Sequence, residues 1–279
     1  MVMLMNLLAN AFTEMSDKTL FLKKEVEQML KCDICYFDMP SSKEYSLGES
    51  GFDHENGYYH IGVKMIDGNG IRTTIDEVEE ILVHEILHAR QFALGFATVC
   101  ADNRALAEIE QRLSAEDTPH TLVGIRNLGS VIGHIELIPI MTRLGYSIEK
   151  HLGEKLSRVL ASKLEILMIV NGNGKMLDYD YDILCADLLL QLVEIYLFFP
   201  DNVKKQLEEL HPFIGEKLRL ISRKLNTGVV RDIITEYLQF TEFADTDTHY
   251  NNCARLLNFT DLSGKKLFKI VYKKSSRIL

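Results

Sequence analysis

The chain has 279 residues, of which 47% are hydrophobic and 25% charged, with only five prolines and seventeen glycines. This composition is typical of a globular protein and excludes collagen-like and Pro/Gly-rich disordered chains. Lys and Arg together number 31 and Asp and Glu number 40, so the formal net charge is -9. Such an acidic chain lacks the positive surface of a general nucleic-acid-binding protein, and we expect no nucleic-acid partner.

The chain has five cysteines, a small and odd number that does not suit a disulfide framework. This favours a reducing, cytoplasmic compartment. Cys32 and Cys35 have CxxC spacing, but the surrounding KCDICYFDM segment predicts a strand. Thiols three residues apart on a strand point to opposite faces. We therefore expect ordinary strand cysteines rather than a redox or metal site.

The first third of the chain predicts mixed secondary structure. The apolar stretch at residues 1–12 has no preceding Lys or Arg, so it predicts an amphipathic helix rather than a secretory signal. Apolar residues at helical spacing predict a helix over 18–30. The β-rich stretches at 32–38 and 58–66 predict strands, and residues 53–57 have the composition of a turn.

A further helix is predicted to begin near Thr74. Thr74 with Glu77 three residues later is a capping-box pattern, and apolar residues keep helical spacing from there to about Phe92. Another helix is predicted over about 102–115. The next begins at Pro119, and Pro139 is predicted to kink or end it.

From about residue 147 onward the pattern is helical, with breaks at Asn-Gly and Pro positions. The most apolar stretch, 183–199, is short for a bilayer span and carries Asp187 and Glu194 on one polar stripe, so we expect a buried helix and no transmembrane segment. The final LFKIVYKKSSRIL stretch predicts a strand and a loose tail. Basic residues at this end are available to an anionic partner; they are Lys265, Lys266, Lys269, Lys273, Lys274 and Arg277.

The strongest chemical signal is His84-Glu85-Ile86-Leu87-His88, inside the helix predicted from its apolar period. Residues four apart on a helix lie on the same face, so the two imidazoles can bind one zinc ion. Glu85 is placed to take a proton from a zinc-bound water. Chance gives this pattern only about 0.02 times in a chain of this length and composition.

With this motif and the β-rich segment before it, the chain resembles the zincin metallopeptidases over roughly residues 18–146. The resemblance implies that His84 and His88 bind zinc, that Glu85 is the general base, and that an edge strand before the active-site helix runs along the substrate cleft. His60 lies in that strand and is a candidate to hydrogen-bond substrate. Arg90 departs from the family's usual pattern, which has an apolar residue at this position.

The third zinc ligand is left open by the motif. Position 91 is Gln and position 94 is Leu, so the HExxHxxGxxH metzincin pattern is absent and a ligand from a later helix is required. His134 is the first candidate and Glu136, as in gluzincins, is the alternative. The two differ by about 200° around a helix and are not expected to bind the same metal together. Glu108 and Glu110 are further candidates.

We predict an α+β fold in which a small sheet and an active-site helix are followed by a mainly helical region. A zincin-like metal-binding domain would span 1–146 and a helical domain with a basic tail 147–279. The predicted function is zinc-dependent hydrolysis of a peptide or protein substrate. The alternative is a non-catalytic helical protein-interaction module with a structural or absent metal site, and a third hypothesis is a non-peptidase metallohydrolase or toxin-like effector.

Overall fold

The computed structural model describes residues 11–40, 48–66, 73–102, 136–146, 246–259 and 268–272, and the single positions 104, 107, 111, 134, 205 and 232. Its elements in chain order are α1 (Asp17–Leu30), β1 (Ile34–Asp38), β2 (Gly48–Asp53), β3 (Tyr58–Val63), α2 (Ile75–Ala93), β4 (Ala97–Ala101), α3 (Thr246–Phe259) and β5 (Phe268–Tyr272). Helices and strands together confirm a mixed α+β class. The predicted zincin-like character of the fold stays a prediction.

The described elements belong to two compact units. The first contains α1, the strands β1 to β3, α2 and residues 144–146, and the second contains β4, residues 136–143, α3 and β5. The second unit begins at Ala97, well before residue 147. Most residues after 147 lie outside the described part of the chain, so the predicted domains at 1–146 and 147–279 stay predictions.

The sheet of the first unit has three strands in the order β1-β3-β2. The central strand β3 runs parallel to β1 and antiparallel to β2. The expectation that the strand before α2 lies at the sheet edge is therefore wrong: among the described strands β3 is central, and β1 and β2 lie on either side of it. The GESGFD sequence of β2 has no β-branched residue and two glycines, so local propensity does not reveal it as a strand.

Helix α2 forms where the sequence predicts it and is capped as predicted. The Thr74 hydroxyl accepts a hydrogen bond from the backbone N–H of Glu77, and the Glu77 carboxylate accepts one from the backbone N–H of Thr74 at 3.1 Å. Near the end of the helix, the Phe92 ring stacks on Phe52 with centroids 5.3 Å apart and lies 5.4 Å from the Tyr59 ring. These contacts place α2 on one face of the sheet.

Helix α1 packs beside α2 in the same unit. Arg90 Nη2 lies 3.3 Å from Glu25 Oε1, so the arginine that departs from the family pattern pairs with a carboxylate on α1. At the other end, Ser16 caps α1 and hydrogen-bonds Glu79 of α2 through both its hydroxyl and its backbone N–H. Helix α2 is therefore tied to α1 near both of its ends.

In the second unit, β4 pairs antiparallel with β5, with Ala97 opposite Tyr272. This confirms the strand predicted in the last stretch of the chain, and Lys269 Nζ of β5 lies 3.9 Å from Asp102 Oδ2. The other basic residues of the tail lie outside the described residues. Residues 136–143 are helical, so the helix continues past Pro139 instead of ending there. Its buried apolar side chains, which include Leu137, Ile138 and Ile140, stabilise it despite the missing N–H.

Within the described residues, none of the helices is both long and apolar enough to cross a bilayer. The apolar stretch at 183–199 lies outside them. So do the other helices predicted between 148 and 241, apart from the helical positions 205 and 232.

Candidate metal centre

Two histidines of α2 form the centre of the candidate site. His84 and His88 are one turn apart on the helix, and their Nε2 atoms lie 3.1 Å from each other. The two rings are nearly perpendicular, at 82°, with centroids 4.7 Å apart. Two imidazole nitrogens bound to one tetrahedral zinc ion would be about 3.3 Å apart, given the usual Zn–N distance. The observed separation therefore fits a shared metal ion.

His134 joins this pair. Each of the three histidines offers one ring nitrogen, and these nitrogens all lie within 4.8 Å of one another. His84 and His88 are half-buried and His134 is buried. Among the described His, Cys, Asp and Glu side chains, these three histidines form a cluster able to hold a metal ion. The geometry thus favours His134, the first candidate for the third ligand.

Glu136, the alternative third ligand, lies elsewhere. Its Oε2 atom is 3.3 Å from Nδ1 of His249 on α3, and both side chains are buried. His134 and Glu136 are both helical, so side chains two residues apart point in very different directions, as predicted from the helical period. Glu108 and Glu110 lie outside the described residues.

Glu85 lies on α2 beside the edge strand β2. Only 7% of the residue is exposed. A Cβ atom built on Gly48 of β2 would lie 2.7 Å from Glu85 Oε1 and 2.9 Å from its Cγ. The glycine therefore leaves the space that the Glu85 side chain occupies, and β2 forms one wall around the carboxylate.

His60 occupies the other face of the sheet. Its neighbour Tyr59 contacts Phe92 of α2, and successive side chains of a strand alternate between faces. The His60 ring lies instead beside Phe37 and next to the space over Gly51, where a Cβ would be 3.1 Å from Cε1 of the ring. Since His60 points away from α2, its predicted contact with substrate gains no support from its position.

Cys32 and Cys35 are both free thiols. Burial raises the pKa of the Cys32 thiol, and the nearby Asp33 carboxylate raises it further, against a backbone hydrogen bond from Tyr59 that lowers it. A raised pKa reduces the thiolate fraction that metal binding or redox chemistry requires. That neither cysteine has a redox or metal role stays a prediction.

Two residues that contact predicted site residues are not identified by sequence reasoning: Gly48, which adjoins Glu85, and His249, which pairs with Glu136. Gly48 belongs to a strand with weak β propensity, and nothing local marks it as a neighbour of Glu85. His249 lies on α3, in the region after residue 147 whose pattern is helical, but no functional role is predicted for it from the sequence. The spacing of His249 and Cys253, four residues apart, is the one signal that could have suggested a shared helical face there.

Comparison of the chain with protein-family models, with curated proteins and with solved structures finds no match.

Proposed function

We propose that the protein is a zinc-dependent hydrolase that cleaves peptide bonds, with His84, His88 and His134 as the metal ligands and Glu85 as the general base. The observation that carries this proposal is the convergence of three histidine nitrogens within 4.8 Å, two of them in an HExxH motif on one helix. The motif supplies the carboxylate in the position where metallopeptidases use one.

The donor set favours zinc and a catalytic role. Three neutral imidazoles are typical ligands of catalytic zinc, whereas structural zinc sites are usually closed by four protein ligands. Within the described residues the group has three members. If these three histidines are the full set of protein ligands, a fourth coordination position is available to water or to a substrate carbonyl.

The edge strand β2 favours an extended peptide as substrate. In the described sheet one side of β2 pairs with β3, and the same strand adjoins Glu85 through Gly48. An edge strand can pair with an extended peptide through backbone hydrogen bonds, which would hold a scissile bond beside the carboxylate. This supports a peptide over a small-molecule amide.

The chain's own residues would divide the chemistry as follows. The three histidines hold the ion, and a bound zinc ion supplies Lewis acidity that polarises the scissile carbonyl and acidifies water. Glu85 accepts the proton of the attacking water and delivers it to the departing amine nitrogen. The surrounding wall of β2 limits solvent around Glu85, which favours proton transfer to the substrate.

The substitution Glu85→Gln tests this proposal. It keeps the side-chain volume but removes the proton acceptor, so we expect bound zinc to be retained and kcat to fall by at least about 100-fold. Zinc content would be measured by atomic spectroscopy, and hydrolysis by mass spectrometry of a proteome-derived peptide library.

The control is His88→Ala, which removes a ligand and should lose both zinc and hydrolysis. Wild-type turnover by the Glu85→Gln variant would show that the base is assigned wrongly. A wild-type protein that binds no zinc when supplied with it would overturn the proposal as a whole.

A further inference from the structure

The carboxylate of Glu136 is buried in the second unit of the chain. The Glu136 residue is 0% exposed, and its Oε2 atom lies 3.3 Å from Nδ1 of His249, which is 2% exposed. A buried carboxylate is costly unless it is paired and hydrogen-bonded. This pair therefore links the helical residues around position 136 to α3.

The pair extends to a third buried side chain. Nε2 of His249 lies 3.6 Å from Sγ of Cys253, one turn further along α3. The hydrogen bonds are mutually consistent when the Cys253 thiol donates to Nε2 and the Nδ1–H of His249 donates to Glu136. In that arrangement the imidazole ring is held at both nitrogens, and its orientation toward Glu136 is set by α3.

We propose that His249 is a positioning residue for the metal centre, acting through Glu136 on the helical segment that carries His134. This inference rests on the proposed function, because His134 is there the third zinc ligand. His134 and Glu136 both have helical backbone and are only two residues apart, so an anchor on Glu136 constrains the rotation and position of His134. In this arrangement Glu136 anchors the backbone near His134 and does not itself bind the metal.

The substitutions His249→Gln and His249→Asn distinguish the roles of the two ring nitrogens of His249. The Asn amide nitrogen can replace Nδ1 and keep a donor to Glu136, whereas the Gln amide is one methylene further out and loses it. We expect His249→Gln to weaken zinc binding by about 10-fold, the lower end of the 10- to 100-fold losses seen for groups that hydrogen-bond a metal ligand directly, because His249 acts through Glu136. His249→Asn should stay within about threefold of wild type. The zinc Kd would be measured by competition with a chromophoric chelator, well below the unfolding temperature.

The matched control is Asn252→Ala, which truncates another buried side chain of α3 that hydrogen-bonds Arg255. It should lower stability while leaving the zinc Kd unchanged. Equal weakening by Asn252→Ala and His249→Gln would reduce His249 to a structural residue and overturn the inference. A wild-type zinc Kd for His249→Gln would also overturn it, while leaving the zinc-hydrolase proposal intact.

Should His249→Gln fail to fold, Glu136→Asp decides the question. This change keeps the charge but withdraws the carboxylate from His249, and we expect weaker zinc binding with three imidazoles still coordinated in the zinc-edge X-ray absorption spectrum. Unchanged affinity in Glu136→Asp overturns the inference. If the wild-type protein itself binds no zinc, the proposed function fails and this inference fails with it.

Discussion

Glu85 combines near-complete burial with a position next to two histidines. A carboxylate with 7% exposure must be accommodated by its surroundings, and here the absence of a side chain at Gly48 provides the room. Strand β2 comes close to α2 at Gly48. A Cβ atom added to this glycine would come within 3 Å of two Glu85 atoms and of Ile81 Cγ2. The position of the Glu85 carboxylate, the proposed general base, thus depends on a residue of another element.

We predict that Gly48→Ala lowers kcat without removing zinc. The new methyl group would displace the Glu85 carboxylate, and a displacement of about 1 Å in a catalytic group can cost roughly 100-fold in rate. The measurement is kcat on a cleaved peptide together with zinc content. Gly51→Ala on the same strand is the matched control, because its Cβ would face His60 on the opposite side of the sheet. Equal activity in the two variants would argue against a role of Gly48 in placing Glu85.

At the level of elements, α2 is held in place by contacts with α1 and the sheet. Glu79 of α2 accepts hydrogen bonds from the hydroxyls of Ser16 and Thr19 and from the backbone N–H of Ser16. Thr19 also hydrogen-bonds the hydroxyl of Tyr146. Burial by itself would raise the pKa of Glu79, but these hydrogen bonds and the nearby Lys18 hold it below its ordinary value.

We predict that Glu79→Gln destabilises the fold at pH 7 by about 1 kcal/mol, because hydrogen bonds to an ionised acceptor are replaced by bonds to a neutral amide. A depressed folded-state pKa stabilises the protein above the unfolded-state pKa, which is about 4.3 for Glu. This contribution is lost as pH falls through the folded-state pKa. The difference in free energy of unfolding between wild type and variant should therefore shrink in acid.

Urea unfolding at pH 7 and pH 3 measures this difference. Glu14→Gln removes an equal charge from an exposed position and should have almost no effect at either pH. A destabilisation by Glu79→Gln that is the same at both pH values would contradict the assigned role of the ionised carboxylate.

At the level of the whole molecule, the three histidines come from two distant parts of the sequence: His84 and His88 are four residues apart, and His134 follows His88 by 46 positions. The unfolded chain does not hold their nitrogens together, so an ion that binds all three binds the folded state. Such linkage stabilises a protein by about 2.7 kcal/mol when free metal is 100 times its Kd.

We predict that zinc raises the unfolding temperature of the wild-type protein and that a strong chelator reverses the effect. Differential scanning calorimetry with and without zinc measures the shift. His134→Ala should lose most of it, while Cys35→Ser, on the sheet of the first unit, should keep it. An equal zinc-dependent shift in His134→Ala would remove His134 from the ligand set.

The local elements of the first unit could largely be predicted from the sequence. The helical period over residues 18–30, the capping box at Thr74 and the β-rich stretch at Tyr58 all correspond to elements with nearly the predicted bounds. Local propensity and capping act over a few residues, so they can be recognised in the chain itself. For the same reason the relation between His84, Glu85 and His88 follows from one turn of helix.

Only the tertiary structure decided how distant segments meet. Examples are the edge position of β2, the space over Gly48, the pairing of Arg90 with Glu25 and the link from Glu136 to His249. Each joins residues that lie far apart in the chain, and strand order and side-chain contacts at such separations leave no periodic signal. The sequence by itself therefore determined which side chains are suited to hold a metal. Folding decided which of them meet, because only packing brings distant segments to within bonding distance.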